Sequence, residues 1–263
     1  MFFRGDAAVK FYFMLPFVAL AAWLGVQPRV SAGPVGFPST PSLTIPPARG
    51  SFDLTACDYN KQYCAGGVNT PVTFARGPTA SQTVAAGASG AKAQMSLQPS
   101  PKASATLKAT ATGSTGNVLL TYFFGVAARS GFTPAPITFS AKGSASAAGD
   151  STALASVQVQ TFGAPLGQLF SYTACTAPCA DGLPPQGSFS ASKRLFIAAN
   201  TVYSVSMSID LTVDGVNGQV GLGTAAGSVD PVITIDPDYA SGFQLLLSRN
   251  VGNVFDGSRK PAF

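Results

Sequence analysis

The chain has 263 residues, of which 46% are hydrophobic and only 10% charged, and a formal net charge of +5. It contains no histidine, and all 11 acidic residues are aspartate. That excludes Ser-His-Asp and Cys-His nucleophiles and any histidine-ligated metal. The cations are scattered singly, apart from Lys193-Arg194 and Arg259-Lys260, without a basic stripe interleaved with aromatics; nucleic acid is not an expected partner.

Arg4 and Lys10 lead into an uncharged apolar run from Phe11 to Val26, broken only by Pro16. Val30-Ser31-Ala32 then places small residues where signal peptidase reads them. The expectation is a signal-peptide helix over 1–32, cut after Ala32, with a retained signal anchor as the alternative. The run falls short of the ~20 residues that span a bilayer core. Arg4-Gly5-Asp6, an adhesion-type tripeptide, precedes the cut and would be lost with it. Residues 33–50 hold Pro34, Pro38, Pro41, Pro46 and Pro47 and read as an extended linker, with the folded part starting near Ser51.

From there a period of two dominates. Ala103, Ala105, Leu107, Ala109 and Ala111 alternate with Ser104, Thr106, Lys108, Thr110 and Thr112. Gly113-Ser114-Thr115-Gly116 separates that run from Val118 to Phe124, which is apolar on both faces and reads as a central strand covered on two sides or one with an exposed apolar surface. Ile137–Phe139, Ala153–Phe162, Leu169–Thr173 and Phe189–Ile197 are further strands, with Asp181-Gly182-Leu183-Pro184-Pro185 stopping the pairing. Tyr203 to Val213 alternates strictly between apolar residues and Ser, Thr or Asp. Asp214-Gly215-Val216-Asn217-Gly218 should reverse the chain into Gln219–Ala225, followed by Ile233–Ile235 and Phe243–Leu247. Asp230-Pro231 and Asp236-Pro237 read as the turns around these late strands. The sum is an all-β, antiparallel β-sandwich of jelly-roll type in one domain over 51–253, with a tail at 254–263.

Ser228-Val229-Asp230-Pro231-Val232-Ile233-Thr234-Ile235-Asp236-Pro237, then Gly242-Phe243-Gln244-Leu245-Leu246-Leu247-Ser248 and Asn250-Val251-Gly252-Asn253, form one recognisable segment. It resembles the closing segment of the PEP-CTERM family of bacterial exported β-rich proteins. Leu120-Thr121-Tyr122-Phe123-Phe124-Gly125-Val126, Pro136 to Gly143, and Asn200-Thr201-Val202-Tyr203-Ser204-Val205 are similar to the same family's core strands. The resemblance spans about 110 to 253 and implies export and a β-sandwich; the family offers no catalytic residues to carry over. Val254 to Phe263 carries no Pro-Glu-Pro and no apolar helix, so the expected product is secreted without a stable membrane anchor.

Cys57/Cys64 and Cys175/Cys179 form two local pairs. An oxidising compartment favours disulfides Cys57–Cys64 and Cys175–Cys179. A zinc site built from all four thiolates is the rival, although neither spacing is C-x-x-C. Tyr59 and Tyr63, inside the first loop, are the candidate exposed platform for a ligand. Asp230, Asp236 and Asp238, with Asp210 and Asp214 nearby, are the candidate oxygen donors for calcium, although their spacing matches no EF-hand. Ser190-Ala191-Ser192-Lys193 spells S-x-x-K, but in a strand rather than on the helix that chemistry needs. The expected function is a secreted, non-catalytic surface or extracellular-matrix protein without a cofactor, its partners polysaccharide or other matrix components. A carbohydrate-binding module is the alternative and an Asp-dependent glycoside hydrolase a further one.

Overall fold

The computed structural model describes residues 43–110, 113–128, 134–163, 167–176, 179, 185–214 and 221–253. The expected signal peptide, the linker up to residue 42, the loop 181–184, the hairpin 215–218 and the tail 254–263 lie outside the described residues.

Alternating small apolar and polar side chains build the long strands, and the apolar set of each turns to one interior. The strands are β1 (Arg49–Asp58), β2 (Tyr63–Gly66), β3 (Thr70–Thr73), β4 (Thr79–Ala86), β5 (Ser89–Ser96), β6 (Lys102–Ala109) and β7 (Ser114–Ala128). They continue with β8 (Pro134–Gly149), β9 (Ser151–Thr161), β10 (Gln168–Cys175), β11 (Ser188–Ala198), β12 (Val202–Val213), β13 (Gly223–Ile235) and β14 (Phe243–Leu247). Two short 3-10 helices, Tyr59–Lys61 and Pro237–Gly242, complete the described elements. Among the described residues no helix is long and apolar enough to cross a membrane.

The strands form two antiparallel sheets. The eight-stranded sheet runs β10-β9-β12-β7-β1-β2, with β14 added to β7 and β3 to β1; the six-stranded sheet runs β11-β8-β13-β6-β5-β4. Their inner faces make one core. The eight-stranded sheet supplies large residues such as Leu120, Tyr122, Phe124, Met207 and Ile209, while β5 and β6 answer with Ala91, Ala93, Ala103 and Ala105. Large against small lets two sheets interdigitate at the usual spacing of ~10 Å. Gly227 of β13 belongs to this fit, because a Cβ there would press on the Ile209 side chain. Phe124 stacks on Tyr203 with ring centroids 5.3 Å apart. The Tyr203 hydroxyl accepts from the Ala198 N–H at 2.9 Å and donates to the Ala198 carbonyl at 3.3 Å.

The two-faced run at Val118–Phe124 lies in β7, between β12 on one side and β1 and β14 on the other. Thr121, Phe123 and Ala127 are buried on its outer face. Their cover comes partly from chain expected to be linker: a Cβ on Gly125 would collide with Leu43, and the Pro46 carbonyl accepts from Ser248 Oγ at 2.7 Å. Residues 43–48 are therefore packed, and β1 begins at Arg49 rather than Ser51.

Asp230-Pro231 also differs from expectation: it lies inside β13, which joins the expected Gln219–Ala225 and Ile233–Ile235 strands into one. Pairing between β13 and β6 ends at Val229, so Pro231 falls where that partner has left. Ile233 turns its N–H away from β8 toward Asn253, and Pro231 has the same parity. Its missing donor thus points to the side that needs none, the one setting in which a sheet tolerates proline.

A cationic aromatic cleft as the candidate functional site

On the outer face of the eight-stranded sheet lies a cleft of about 470 Å³. Phe123, Phe162, Arg49, Arg249 and Asn250 line it with Pro46–Ala48 and Thr73–Ala75. Each group arrives by a traceable route. Arg49 opens β1 between Thr121 of β7 and Thr73 of β3, and its guanidinium carbon sits 5.7 Å from the centroid of the buried Phe123 ring. That is cation–π distance. Phe162 lies in the turn after β9, where its N–H donates to the Val202 carbonyl at 3.0 Å. Its ring meets Phe123 edge-on at 5.0 Å yet stays 48% exposed.

Arg249 and Asn250 come from a turn clamped on both sides. Before it, buried Ser248 replaces one rung of the β7 ladder: its Oγ accepts from the Phe123 N–H at 2.8 Å, and its N–H donates to the Phe123 carbonyl at 2.8 Å. After it, the Gly252 N–H donates to the Leu97 carbonyl at 2.6 Å, where a Cβ would overlap the Pro99 carbonyl. Asn253 then pairs with both backbone groups of Ile233, accepting from its N–H at 2.9 Å and donating to its carbonyl. Asn250 takes φ 67°, a left-handed conformation that asparagine tolerates. Among the described residues no carboxylate lines the cleft, and neither guanidinium is ion-paired. An exposed aromatic face beside two cationic forks and an amide can hold a flat, partly apolar ligand that carries oxygen acceptors.

The sequence-level candidates lie elsewhere. Cys57 and Cys64 are direct cross-strand partners on β1 and β2 and form the expected disulfide; Cys175 and Cys179 form the other. No cysteine is left free, which overturns the alternative zinc site. The first disulfide holds the Tyr59–Lys61 helix, whose N-cap Asp58 accepts from the Asn60 N–H at 3.0 Å. Tyr59 and Tyr63 are 60% and 57% exposed there. Asp58 and Arg49 are opposite ends of β1, about 30 Å apart by strand rise, so these tyrosines do not join the cleft.

The calcium set does not assemble. Asp230 accepts from Ser100 Oγ at 2.7 Å. Asp236 is six residues further, roughly 20 Å of extended chain, where it caps the second 3-10 helix and ion-pairs with Arg194. Asp238 is exposed in that helix. Asp210 lies on the other sheet, accepting from Asn117 Nδ2 and Ser208 Oγ, and Asp214 is exposed just beyond β12. Among the described residues no group of three or more acidic or cysteine side chains could hold a metal. Ser190 and Lys193 both lie in β11 and, three residues apart, point to opposite faces; Lys193 Nζ donates to the Leu169 carbonyl at 3.2 Å. The cleft has no signature in the sequence, because its residues come from five segments far apart in the chain.

Both outer sheet faces carry hydroxyl rows. Ser140 meets Ser192 at 2.9 Å and Ser144 meets Ser228 at 2.8 Å on one, and Ser156 meets Ser208 at 2.9 Å on the other.

No family model and no curated protein matches the chain. Among solved structures, TmCBM61 in complex with β-1,4-galactotriose is similar at 9% identity and a TM-score of 0.26, over 62% of this chain and 90% of that one. The family 11 carbohydrate-binding module from Clostridium thermocellum, in complex with a β-1,3-1,4-mixed-linked tetrasaccharide, matches at 10% identity and 0.22, over 70% and 95%. The enzymatically active domain of tailspike protein 4 from bacteriophage CBA120 matches at 11% identity and 0.27, over 60% and 19%. At these TM-scores the likeness assigns no ligand to this chain.

Proposed function

We propose that this chain is an exported, non-catalytic β-sandwich module of the cell surface or extracellular matrix that binds polysaccharide. The cleft carries this reading: it leaves an aromatic ring open beside two guanidiniums that have no carboxylate partner among the described residues. Sugar rings present an apolar C–H face to such a ring and hydroxyl acceptors to such donors. Two closed disulfides support export to an oxidising compartment. The aspartates support a non-catalytic role, since Asp230, Asp236 and Asp210 are engaged in separate structural contacts.

The test is native electrophoresis of the full exported chain through gels containing a broad panel of soluble polysaccharides. Retarded migration in at least one polymer, with no release of reducing ends, is expected. Migration unchanged in every polymer would refute binding, released reducing ends would refute the non-catalytic role, and a cytoplasmic product with free thiols would refute export.

A further inference from the structure

We infer that the cleft takes an acidic sugar residue, a hexuronate unit of a polyanionic polysaccharide, with its carboxylate on Arg49 and Arg249 and its apolar ring face on Phe162. The inference rests on the polysaccharide-binding reading and names the ligand class.

Three observations carry it. The first is charge: among the described residues both ionised side chains that line the cleft are arginines, and no carboxylate lines it. A neutral sugar offers these two charges no counter-charge; a carboxylate matches the guanidinium fork in geometry and sign. The second is how Arg49 is held. Its guanidinium carbon is held 5.7 Å from the Phe123 ring centre, within cation–π range, and among the described residues no carboxylate takes its N–H groups. The third is preorganisation. Arg249 and Asn250 lie between Ser248, tied to Phe123 and Pro46, and Gly252 and Asn253, tied to Leu97 and Ile233. A turn fixed before binding loses little entropy on binding. Phe162 completes the site with an exposed ring of sugar-stacking size, and the volume of about 470 Å³ suits a short stretch of such a polymer.

The experiment measures affinity of the full chain for polygalacturonate and alginate, for the same polygalacturonate after carboxyl reduction, and for polyaspartate. An acidic polymer should bind about tenfold or more tighter than the reduced one, and the difference should shrink with added salt. Arg249→Gln and Phe162→Ala, both at exposed side chains, should each lower affinity for the acidic polymer about tenfold with melting temperature unchanged. Tyr63→Ala should leave it intact. Equal affinity for the reduced polymer overturns the acidic class, and equal affinity for polyaspartate overturns the sugar class. Unchanged affinity in both Arg249→Gln and Phe162→Ala overturns the site while polysaccharide binding stands. Binding to none of these polysaccharides overturns this inference, while retarded migration in another polymer of the broad panel would leave the reading beneath it standing.

Discussion

Ser248→Ala isolates the clamp that presents the cleft. The hydroxyl accepts from the Phe123 N–H at 2.8 Å and donates to the Pro46 carbonyl at 2.7 Å, on a residue 2% exposed. Alanine leaves the β7 donor buried without its partner and releases the segment over the outer face of β7. A stranded buried donor costs about 1–3 kcal/mol, and losing the second bond brings the total to about 2–4 kcal/mol. For a domain of this size each kcal/mol moves the melting temperature by about 2–4 °C, so the expected loss is roughly 5–15 °C. Thermal unfolding followed by circular dichroism measures it. Ser228→Ala is the control, because its hydroxyl faces an exposed partner, Ser144, at 2.8 Å and should cost under about 0.5 kcal/mol. The same Ser248→Ala chain should bind acidic polymer more weakly, through disorder in Arg249 and Asn250 rather than a lost contact. A melting temperature equal to that of Ser228→Ala would refute the clamp.

Asn253→Asp removes the donor to the Ile233 carbonyl and should destabilise by about 1–3 kcal/mol, as much as Asn253→Ala; denaturant titration decides, and a neutral Asn253→Asp would refute the two-bond pairing. Gly252→Ala should cost more than either, because its Cβ would overlap backbone at Pro99; wild-type yield and melting temperature would contradict that close approach. Non-reducing peptide mapping should find Cys57 joined to Cys64 and Cys175 to Cys179, and reducing either short loop should cost roughly 2 kcal/mol. Stability should fall in alkali. Burial, with Asp230 adding to it, raises the Tyr122 pKa above its ordinary value of 10.0, and burial raises that of Tyr203. Tyr122 stays protonated in the fold after the unfolded chain ionises, so its contribution is full below pH 10 and declines above it, approaching about 1.4 kcal/mol per pH unit, and Tyr203 adds to the decline in the same direction. Tyr122→Phe should flatten that decline in unfolding measured from pH 9 to 11.5; an unchanged slope would refute the assignment.

The sequence by itself determined the sandwich. Strict alternation in Tyr203–Val213 and Ala103–Ala109, a local pattern with a period of two, commits each strand to one buried face; the doubly apolar Val118–Phe124 fitted a covered central strand or an exposed apolar surface, and the packing of residues 43–48 decided for the first. Cysteine spacing together with expected export pointed to the two short-loop disulfides, and the structure, by pairing all four thiols, removed the zinc alternative. Asp230-Pro231 misled, since proline breaks a ladder only where a neighbouring strand needs its donor, and β6 has already ended there. Tertiary structure alone decided the site. Arg49, Phe162 and Arg249 are far apart in the chain and meet only because pairing places Arg49 opposite Thr121, the turn after β9 lays Phe162 on Phe123, and Ser248 fastens the last turn to β7. The segment Val251-Gly252-Asn253 reads in the sequence as a family-like motif; in the fold it is the fastener that holds Arg249 and Asn250 at the cleft, because its hydrogen bonds reach Leu97 and Ile233 on the far sheet system.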